Sequence, residues 1–189
     1  NGNNQLVAKG KIGQKDITDT FLIFNEGYKK DLYKESASKS GNIDLYINAG
    51  SNAQYIDNSQ HIWLEDRPYV SGSFGYLIGT PSFISLKGKI TRTDKTPLLY
   101  TYLDSLNAYQ LDVPDGKYQV TCYFAEPEFH SNGKRVFDVL LNGSTFISKM
   151  DLHQEAGYCV AVEKTQIVTT KNKEGIRLQF NALKGKPIL

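Results

Sequence analysis

The chain has 189 residues, 40% hydrophobic and 22% charged, so it can bury a core and is neither a disordered nor a collagen-like polymer. Its formal net charge of +2, with basic residues spread along the sequence, argues against nucleic-acid binding, and no apolar run is long enough to predict a membrane span. Two cysteines and three isolated histidines exclude a zinc scaffold and a disulfide framework.

The beginning of the chain predicts a β-hairpin. Residues 5–11 and 18–24 are short apolar runs, and the polar stretch from Gly13 to Asp16 between them predicts a turn. Two strands alone bury little, so this hairpin either docks on the following domain or belongs to another domain. Residues 25–42 are polar and rich in lysine and serine, which is typical of a linker.

From Ile43 onward, short strands alternate with turns. Period-two alternation predicts one buried strand face that carries Tyr118, Val120, Cys122 and Phe124. The pair Asn142-Gly143, directly after the apolar residues 136–141, favours a two-residue type I′ hairpin turn.

The remaining signals favour strands over helices. Asp112 to Gly116 predicts a turn, and residues 157–168 and 176–180 supply the last strands. Asp151 to Ala156 predicts one helical turn capped by Asp151. About ten short strands at this spacing predict an all-β sandwich or jelly roll.

One pair of acidic residues raises the question of catalysis. Glu126 and Glu128 lie two apart, at about 7 Å in a strand, a separation that an inverting glycosidase could use. Pro127 lies between them and ends strand pairing, which favours Glu126 accepting backbone hydrogen bonds and Glu128 being solvated. No catalytic residue is therefore predicted.

Two other polar motifs have alternative interpretations. Asp57-Asn58-Ser59 carries oxygen ligands that suit calcium, and an Asx turn explains the same residues equally well. Cys122 and Cys159 either pair or remain two buried free thiols, and the second interpretation is favoured. No metal or cofactor is predicted.

Aromatic residues are the most unusual feature of the composition. The chain has 12 tyrosines, 9 phenylalanines and one tryptophan, and the stretch from Trp63 to Tyr76 gathers several of them among glycine and proline. We interpret this stretch as a long loop over the sandwich. Each ring taken singly is expected to pack onto the core, whereas the group is expected to leave at least one ring exposed. An exposed ring could stack on the apolar face of a sugar, while neighbouring polar side chains bind its hydroxyls.

A family resemblance rests on a set of short motifs in a fixed order. They are Tyr46-Ile47-Asn48-Ala49-Gly50, Trp63 to Tyr69, Gly72-Ser73-Phe74-Gly75-Tyr76, Leu98-Leu99-Tyr100, Tyr109 to Tyr118, Phe124-Ala125-Glu126, Gly133 to Val139 with Asn142-Gly143, and Asp151-Leu152. Through them the chain resembles the malectin family of carbohydrate-binding domains. In particular, it resembles the malectin-like modules at the C-terminus of bacterial family 2 glycoside hydrolases of the β-galactosidase type.

The resemblance implies a domain organisation. Residues 43–189 correspond to a malectin-like, galactose-binding-like β-sandwich. Residues 1–24 resemble the terminal strands of the immunoglobulin-like domain that precedes the module in those enzymes, which leaves residues 25–42 as the linker. The parent is then a periplasmic or secreted bacterial glycosidase.

The resemblance also implies a sugar site on loops at one end of the sandwich. Carried over by position, the family's site aromatics correspond to Tyr76 and to Glu128-Phe129, where one ring is replaced by a carboxylate. Another family aromatic falls near Ser105, close to Tyr102. The family's site aspartate falls near Gly185.

We therefore expect a non-catalytic module that holds an oligo- or polysaccharide. Tyr76 and Phe129 are expected to stack on the sugar and Glu128 to accept from its hydroxyls, with Tyr102 and Trp63 as further candidates. The alternative is a structural spacer whose aromatics pack against other domains of the parent enzyme.

Overall fold

A computed structural model describes residues 2–25, 43–84 and 89–189, without the side chains of residues 2–6 and 21–25. It divides into two compact units, Asn1–Lys30 and Asp31–Leu189. No helix in the described ranges is long and apolar enough to cross a membrane.

The first unit contains the predicted hairpin. Strands β1 (Gly2–Ile12) and β2 (Lys15–Asn25) pair antiparallel, and Ile12 lies opposite Lys15. The turn is therefore shorter than the predicted one, and Gly13 adopts φ 63° there, a conformation that glycine tolerates without strain. Asn25 ends β2, and the rest of the predicted linker, residues 26–42, lies outside the described residues.

Within residues 43–84 and 89–189, the second unit has ten strands and two single helical turns. The strands are β3 (Tyr46–Asn48), β4 (Tyr55–Ile56), β5 (Ile62–Glu65), β6 (Phe74–Phe83), β7 (Thr101–Leu111), β8 (Gly116–Phe124), β9 (Val136–Leu141), β10 (Ser144–Met150), β11 (Val162–Thr170) and β12 (Ile176–Lys184). The helical turns are a 3-10 turn, Thr96–Leu99, and α1, Leu152–Glu155.

These strands form sandwich-like sheets. Five antiparallel strands follow the order β10-β9-β12-β7-β6, β8 pairs with β11, and a small sheet has the order β3-β5-β4 with β3 parallel to β5. The all-β sandwich predicted from the sequence is confirmed.

Aromatic side chains join the sheets through the core. Phe124 of β8 lies 6.2 Å from Phe137 of β9, measured between ring centroids, and Phe137 lies 6.3 Å from Phe180 of β12. Phe124 and Phe137 are fully buried, and each such ring contributes roughly 1.5–3 kcal/mol relative to an exposed one. Cys122, on the same face of β8 as Phe124, is also buried as predicted.

The two cysteines are free thiols. Cys122 is 4% exposed and Cys159 is 3% exposed, and the two are not joined by a disulfide. Burial raises the pKa of the Cys122 thiol to about 12. The interpretation of two buried free thiols is confirmed.

Local turn signals predicted their structures accurately. Asn142 and Gly143 join β9 to β10 with φ values of 46° and 79°, as a type I′ turn requires. Helix α1 begins after Asp151, whose carboxylate accepts a hydrogen bond from the backbone N–H of Gln154 at 3.1 Å.

The interpretation of residues 63–76 as one long loop is wrong. Trp63 lies in β5, and Phe74 begins β6, so the connection between the strands is short. Aromatic residues favour strands, and complete burial of Phe74 holds it there. Gly75 allows the close approach that the glycines suggested, because a Cβ at this position would lie 2.4 Å from the carbonyl oxygen of Arg67.

Candidate functional site

A buried arginine organises the polar side chains at one edge of the sandwich. Arg135, one residue before β9, has a side chain that is only 2% exposed. Its Nε donates to Glu126 Oε2 at 3.0 Å, and its Nη2 donates to Glu128 Oε2 at 3.3 Å. Its Nη1 donates to the carbonyl oxygen of Lys186. One guanidinium therefore links the loop after β8, the start of β9 and the end of the chain.

Glu126 holds the same loop from within. Its Oε1 accepts hydrogen bonds from the backbone N–H groups of Glu128 at 3.0 Å and Phe129 at 3.1 Å. Glu126 is 1% exposed, whereas the Glu128 side chain is 65% exposed, in agreement with the sequence interpretation. Removing one partner of a buried pair such as Arg135–Glu126 typically costs about 3–5 kcal/mol, so this pair fixes the loop firmly.

Phe129 lies against the same guanidinium. The Arg135 Cζ is 5.1 Å from the centroid of the Phe129 ring, within the range of a cation–π contact. The ring is half-buried, so part of its surface remains open to solvent. Its backbone bond to Glu126 and its contact with Arg135 both restrict its position.

Asp104 and Lys186 extend the site on the other side of Arg135. Asp104 Oδ1 lies 3.9 Å from Arg135 Nη1, and Asp104 Oδ2 lies 3.4 Å from Lys186 Nζ. The chain after Lys186 is fixed along β7, because Leu103 and Leu189 exchange two backbone hydrogen bonds, at 2.7 and 3.2 Å.

Tyr102 belongs to the same electrostatic environment. Burial raises the pKa of its hydroxyl, the charges of Asp104, Glu128 and Glu126 raise it further, and the charge of Arg135 opposes them. Tyr102 therefore stays protonated and can donate a hydrogen bond. We call the seven residues Tyr102, Asp104, Glu126, Glu128, Phe129, Arg135 and Lys186 the Arg135 cluster.

Tyr76, near the start of β6, lies away from the Arg135 cluster. It pairs with Tyr109, is half-buried, and has a raised pKa because of burial and the nearby charge of Asp66. Ser82, the residue of β6 that pairs with Tyr102, is six residues further along, which is about 20 Å in an extended strand. The structure therefore brings Glu128, Phe129 and Tyr102 together and places Tyr76 towards the other end of β6.

Trp63 does not present a stacking face. Its side chain is buried at 7% exposure, and its indole Nε1 donates to Asp57 Oδ2 at 3.0 Å. Its burial in β5 removes it from the candidate contacts, because a sugar cannot reach the ring.

The motif around Asp57 is an Asx turn. Asp57 Oδ1 accepts from the backbone N–H groups of Ser59 at 2.9 Å and His61 at 3.0 Å. Burial raises the pKa of Asp57, but the hydrogen bonds from Trp63, His61 and Ser59 outweigh it, so the net pKa is below the ordinary value. Among the residues that the structure describes, no group of three potential ligands could hold a metal ion.

The resemblance implies an aromatic residue near Ser105 and an aspartate near Gly185. Both positions instead adopt a left-handed backbone conformation. Ser105 adopts φ 57°, and its hydroxyl donates to Asp104 Oδ2 at 3.3 Å. Gly185 adopts φ 67°, and a Cβ there would lie 2.5 Å from the carbonyl oxygen of Lys134, so an aspartate would not fit without rearrangement. Asp104 instead supplies a carboxylate next to Lys186.

Sequence reasoning missed three members of the Arg135 cluster: Asp104, Arg135 and Lys186. Arg135 lies within the motif Gly133 to Val139, directly before the alternating apolar strand β9. A charged residue at the start of such a strand was the available signal, but it does not identify the partners.

A family model described as the malectin domain matches residues 43–187. The chain belongs to the malectin domain family. The resemblance predicted from the sequence motifs is thereby confirmed.

Solved structures similar to this malectin domain include β-glucuronidase from Bacteroides uniformis, at 28% identity and a TM-score of 0.75. That alignment covers 100% of this chain and 22% of the enzyme, so the chain spans about a fifth of the relative's length. The ANXUR1 extracellular domain from Arabidopsis thaliana shares the fold at 17% identity and a TM-score of 0.60, covering 77% of this chain and 45% of that one. No curated protein matches this chain.

Proposed function

We propose that this malectin domain is a non-catalytic carbohydrate-binding module of a bacterial glycoside hydrolase, and that it holds an oligo- or polysaccharide at the Arg135 cluster. Two findings support the proposal: membership of the malectin family, and 28% identity over the whole chain to an enzyme named as a β-glucuronidase. Such a module would raise the concentration of the substrate near the parent enzyme.

The observation that carries the proposal is the arrangement of Phe129 and Glu128. A half-buried ring and an exposed carboxylate both contact the Arg135 guanidinium. The ring suits the apolar C–H face of a pyranose, and the carboxylate suits its hydroxyl donors. Tyr102, protonated at neutral pH, adds a hydroxyl donor at the same edge.

The parent activity is proposed only at the level of glycoside hydrolase. The β-galactosidase type expected from the motifs has no support from the similar solved structures, which include β-glucuronidases. A periplasmic or secreted location remains part of the proposal, because a polysaccharide substrate is found outside the cytoplasm.

A structural spacer is the second candidate function, and the surface of β6 favours it. This strand is at the edge of the five-stranded sheet and exposes Ile78 at 63% and Phe83 at 78%. Exposed apolar side chains on an edge strand can pack against another domain. In that case the aromatic residues would serve contacts within the parent enzyme.

Binding to a broad glycan array, followed by calorimetry with the best ligand, tests the proposal. We expect Phe129→Ala to weaken binding at least tenfold, because the loss of a stacking ring costs about 1.5 kcal/mol or more. Phe146→Ala is the matched control: Phe146 is also half-buried, but it lies on β10, at the opposite edge of the same sheet. Fluorescence of Trp63 verifies that both variants are folded.

The alternatives predict different results. A folded wild-type chain that binds nothing on the array supports the spacer, and equal binding by the Phe129→Ala variant removes the stacking mechanism. Turnover of a glycoside by the chain, lost in Glu126→Gln, would show catalysis. Tyr76→Ala is informative with longer ligands, since a contact about 20 Å away along β6 could reach only an extended glycan.

A further inference from the structure

The charge of the Arg135 cluster is unbalanced at its exposed end. Its carboxylates are Asp104, Glu126 and Glu128, and its cations are Arg135 and Lys186, which leaves a formal charge of −1. Which carboxylate carries the surplus negative charge depends on the ion pairs that Arg135 and Lys186 form.

The two cations are shared among the three carboxylates. Arg135 is 2% exposed and lies closest to buried Glu126, at 3.0 Å, whereas Glu128 Oε2 is 3.3 Å from its Nη2. Lys186 Nζ lies 3.4 Å from Asp104. Because Glu126 and Glu128 share the single charge of Arg135, the charge of the exposed Glu128 is only partly balanced.

Glu128 is also the carboxylate that a ligand would meet. Its side chain is 65% exposed, compared with 1% for Glu126 and 23% for Asp104. It directly precedes Phe129, and the Arg135 guanidinium contacts both the Glu128 carboxylate and the Phe129 ring, which keeps the two side chains near each other. A sugar on the Phe129 ring therefore lies beside a negative charge.

We infer that Glu128 makes this site discriminate against anionic glycans and favour neutral ones. This inference rests on the proposed function. A hydroxyl group of the ligand donates to the Glu128 carboxylate, whereas a carboxylate or sulfate in the same position is repelled and donates no hydrogen bond. Two like charges about 4 Å apart in water correspond to roughly a fivefold loss of affinity.

Matched ligand pairs test the inference. The probes are oligoglucosides against oligoglucuronides and oligogalactosides against oligogalacturonides, which differ by a hydroxymethyl group in place of a carboxylate. We expect the wild-type chain to bind the neutral member of at least one pair about fivefold more tightly in 20 mM salt. The preference should shrink in 300 mM salt, because exposed charges are screened.

Glu128→Gln is the decisive variant, and Glu163→Gln, an exposed carboxylate on β11, is its control. Glu128→Gln should bring the two members of a pair to similar affinity, while Glu163→Gln keeps the wild-type preference. Equal wild-type affinity for both members, or a preference that survives Glu128→Gln, overturns the inference and leaves the proposed function standing. Absence of binding to every member of both pairs and to the glycan array overturns both.

Discussion

Asp57 is a buried carboxylate with a lowered pKa, and its effect on stability depends on pH. Because the folded-state pKa lies below the unfolded value of about 3.9, proton binding favours the unfolded chain. The stabilisation is complete above about pH 5 and decreases as the pH falls through the folded-state pKa. Trp63, the single tryptophan of the chain, donates to Asp57 and reports on this region by fluorescence.

We expect Asp57→Asn to lower the free energy of unfolding by about 2 kcal/mol at pH 7, because several hydrogen bonds to a charged acceptor are weakened. The difference from wild type should become smaller between pH 5 and pH 2. Urea unfolding followed by Trp63 fluorescence measures both effects. Asp44→Asn, at an exposed position, is the control and should change little. A difference that stays constant over this pH range would contradict the assignment.

At this scale, the sequence predicted contacts between near neighbours. Glu126 was interpreted correctly as a backbone acceptor, because its donors are the N–H groups two and three residues ahead. Arg135 could not be placed, because its hydrogen-bond acceptor on Lys186 and its ion-pair partner Asp104 lie 51 and 31 positions away along the chain. The three-dimensional fold alone determines such pairs. Trp63 shows the burial that was expected of each ring taken singly, so its role as a further sugar contact was the wrong part of the prediction.

A glycine can be required in this fold for two reasons: a left-handed backbone conformation, or close approach of another strand. Gly143 and Gly50 distinguish the two. Gly143 in the β9–β10 turn and Gly50 after β3 have similar φ values, 79° and 72°. A Cβ at Gly143 meets nothing within 4 Å, whereas one at Gly50 would lie 2.3 Å from the carbonyl oxygen of Tyr102.

We therefore expect Gly143→Ala to cost about 1 kcal/mol, the penalty of a left-handed backbone alone. Gly50→Ala should cost considerably more, because the backbone of Tyr102 must move, and it should also weaken glycan binding. Urea midpoints compare the stabilities, and circular dichroism shows whether Gly50→Ala folds. Equal costs for the two variants would mean that β7 does not approach Gly50 as closely as described.

At the scale of elements, strong local signals succeeded and ambiguous ones failed. The β9–β10 hairpin and helix α1 were predicted because a turn pair and a capping aspartate specify them locally. Residues 63–76 were misassigned because glycine and proline suggested a loop while the aromatics suited strands. Burial of Phe74 in the core decided between these tendencies.

For the whole molecule, the division into two units predicts separate folding. Among the side chains that the structure describes, the aromatic core residues Phe124, Phe137 and Phe180 lie in the unit Asp31–Leu189. We expect a chain starting at Asp31 to unfold cooperatively at a Tm within a few degrees of the full chain, because its core is unchanged. Differential scanning calorimetry together with Trp63 fluorescence measures both transitions. A fragment without a cooperative transition would show that the first unit contributes to this fold.

The sequence was sufficient to predict the sandwich architecture. It was not sufficient to decide which domain the N-terminal hairpin belongs to. The malectin-like sandwich follows from motifs that extend over most of the chain, and the family match covers residues 43–187. The assignment of residues 1–24 to an immunoglobulin-like domain remains a prediction. A lone pair of strands has the same appearance in many folds, since its pattern does not specify the neighbouring strands.

Because both sulfur atoms are buried, the rate at which the two thiols are chemically modified reports on unfolding of the protein. A maleimide reacts with a thiolate at the surface, and a pKa of about 12 at Cys122 together with 3% exposure at Cys159 protects both groups in the native state. Modification rates in dilute denaturant would then follow the opening of the sandwich itself. A cysteine introduced on the surface could carry a fluorophore with little background labelling.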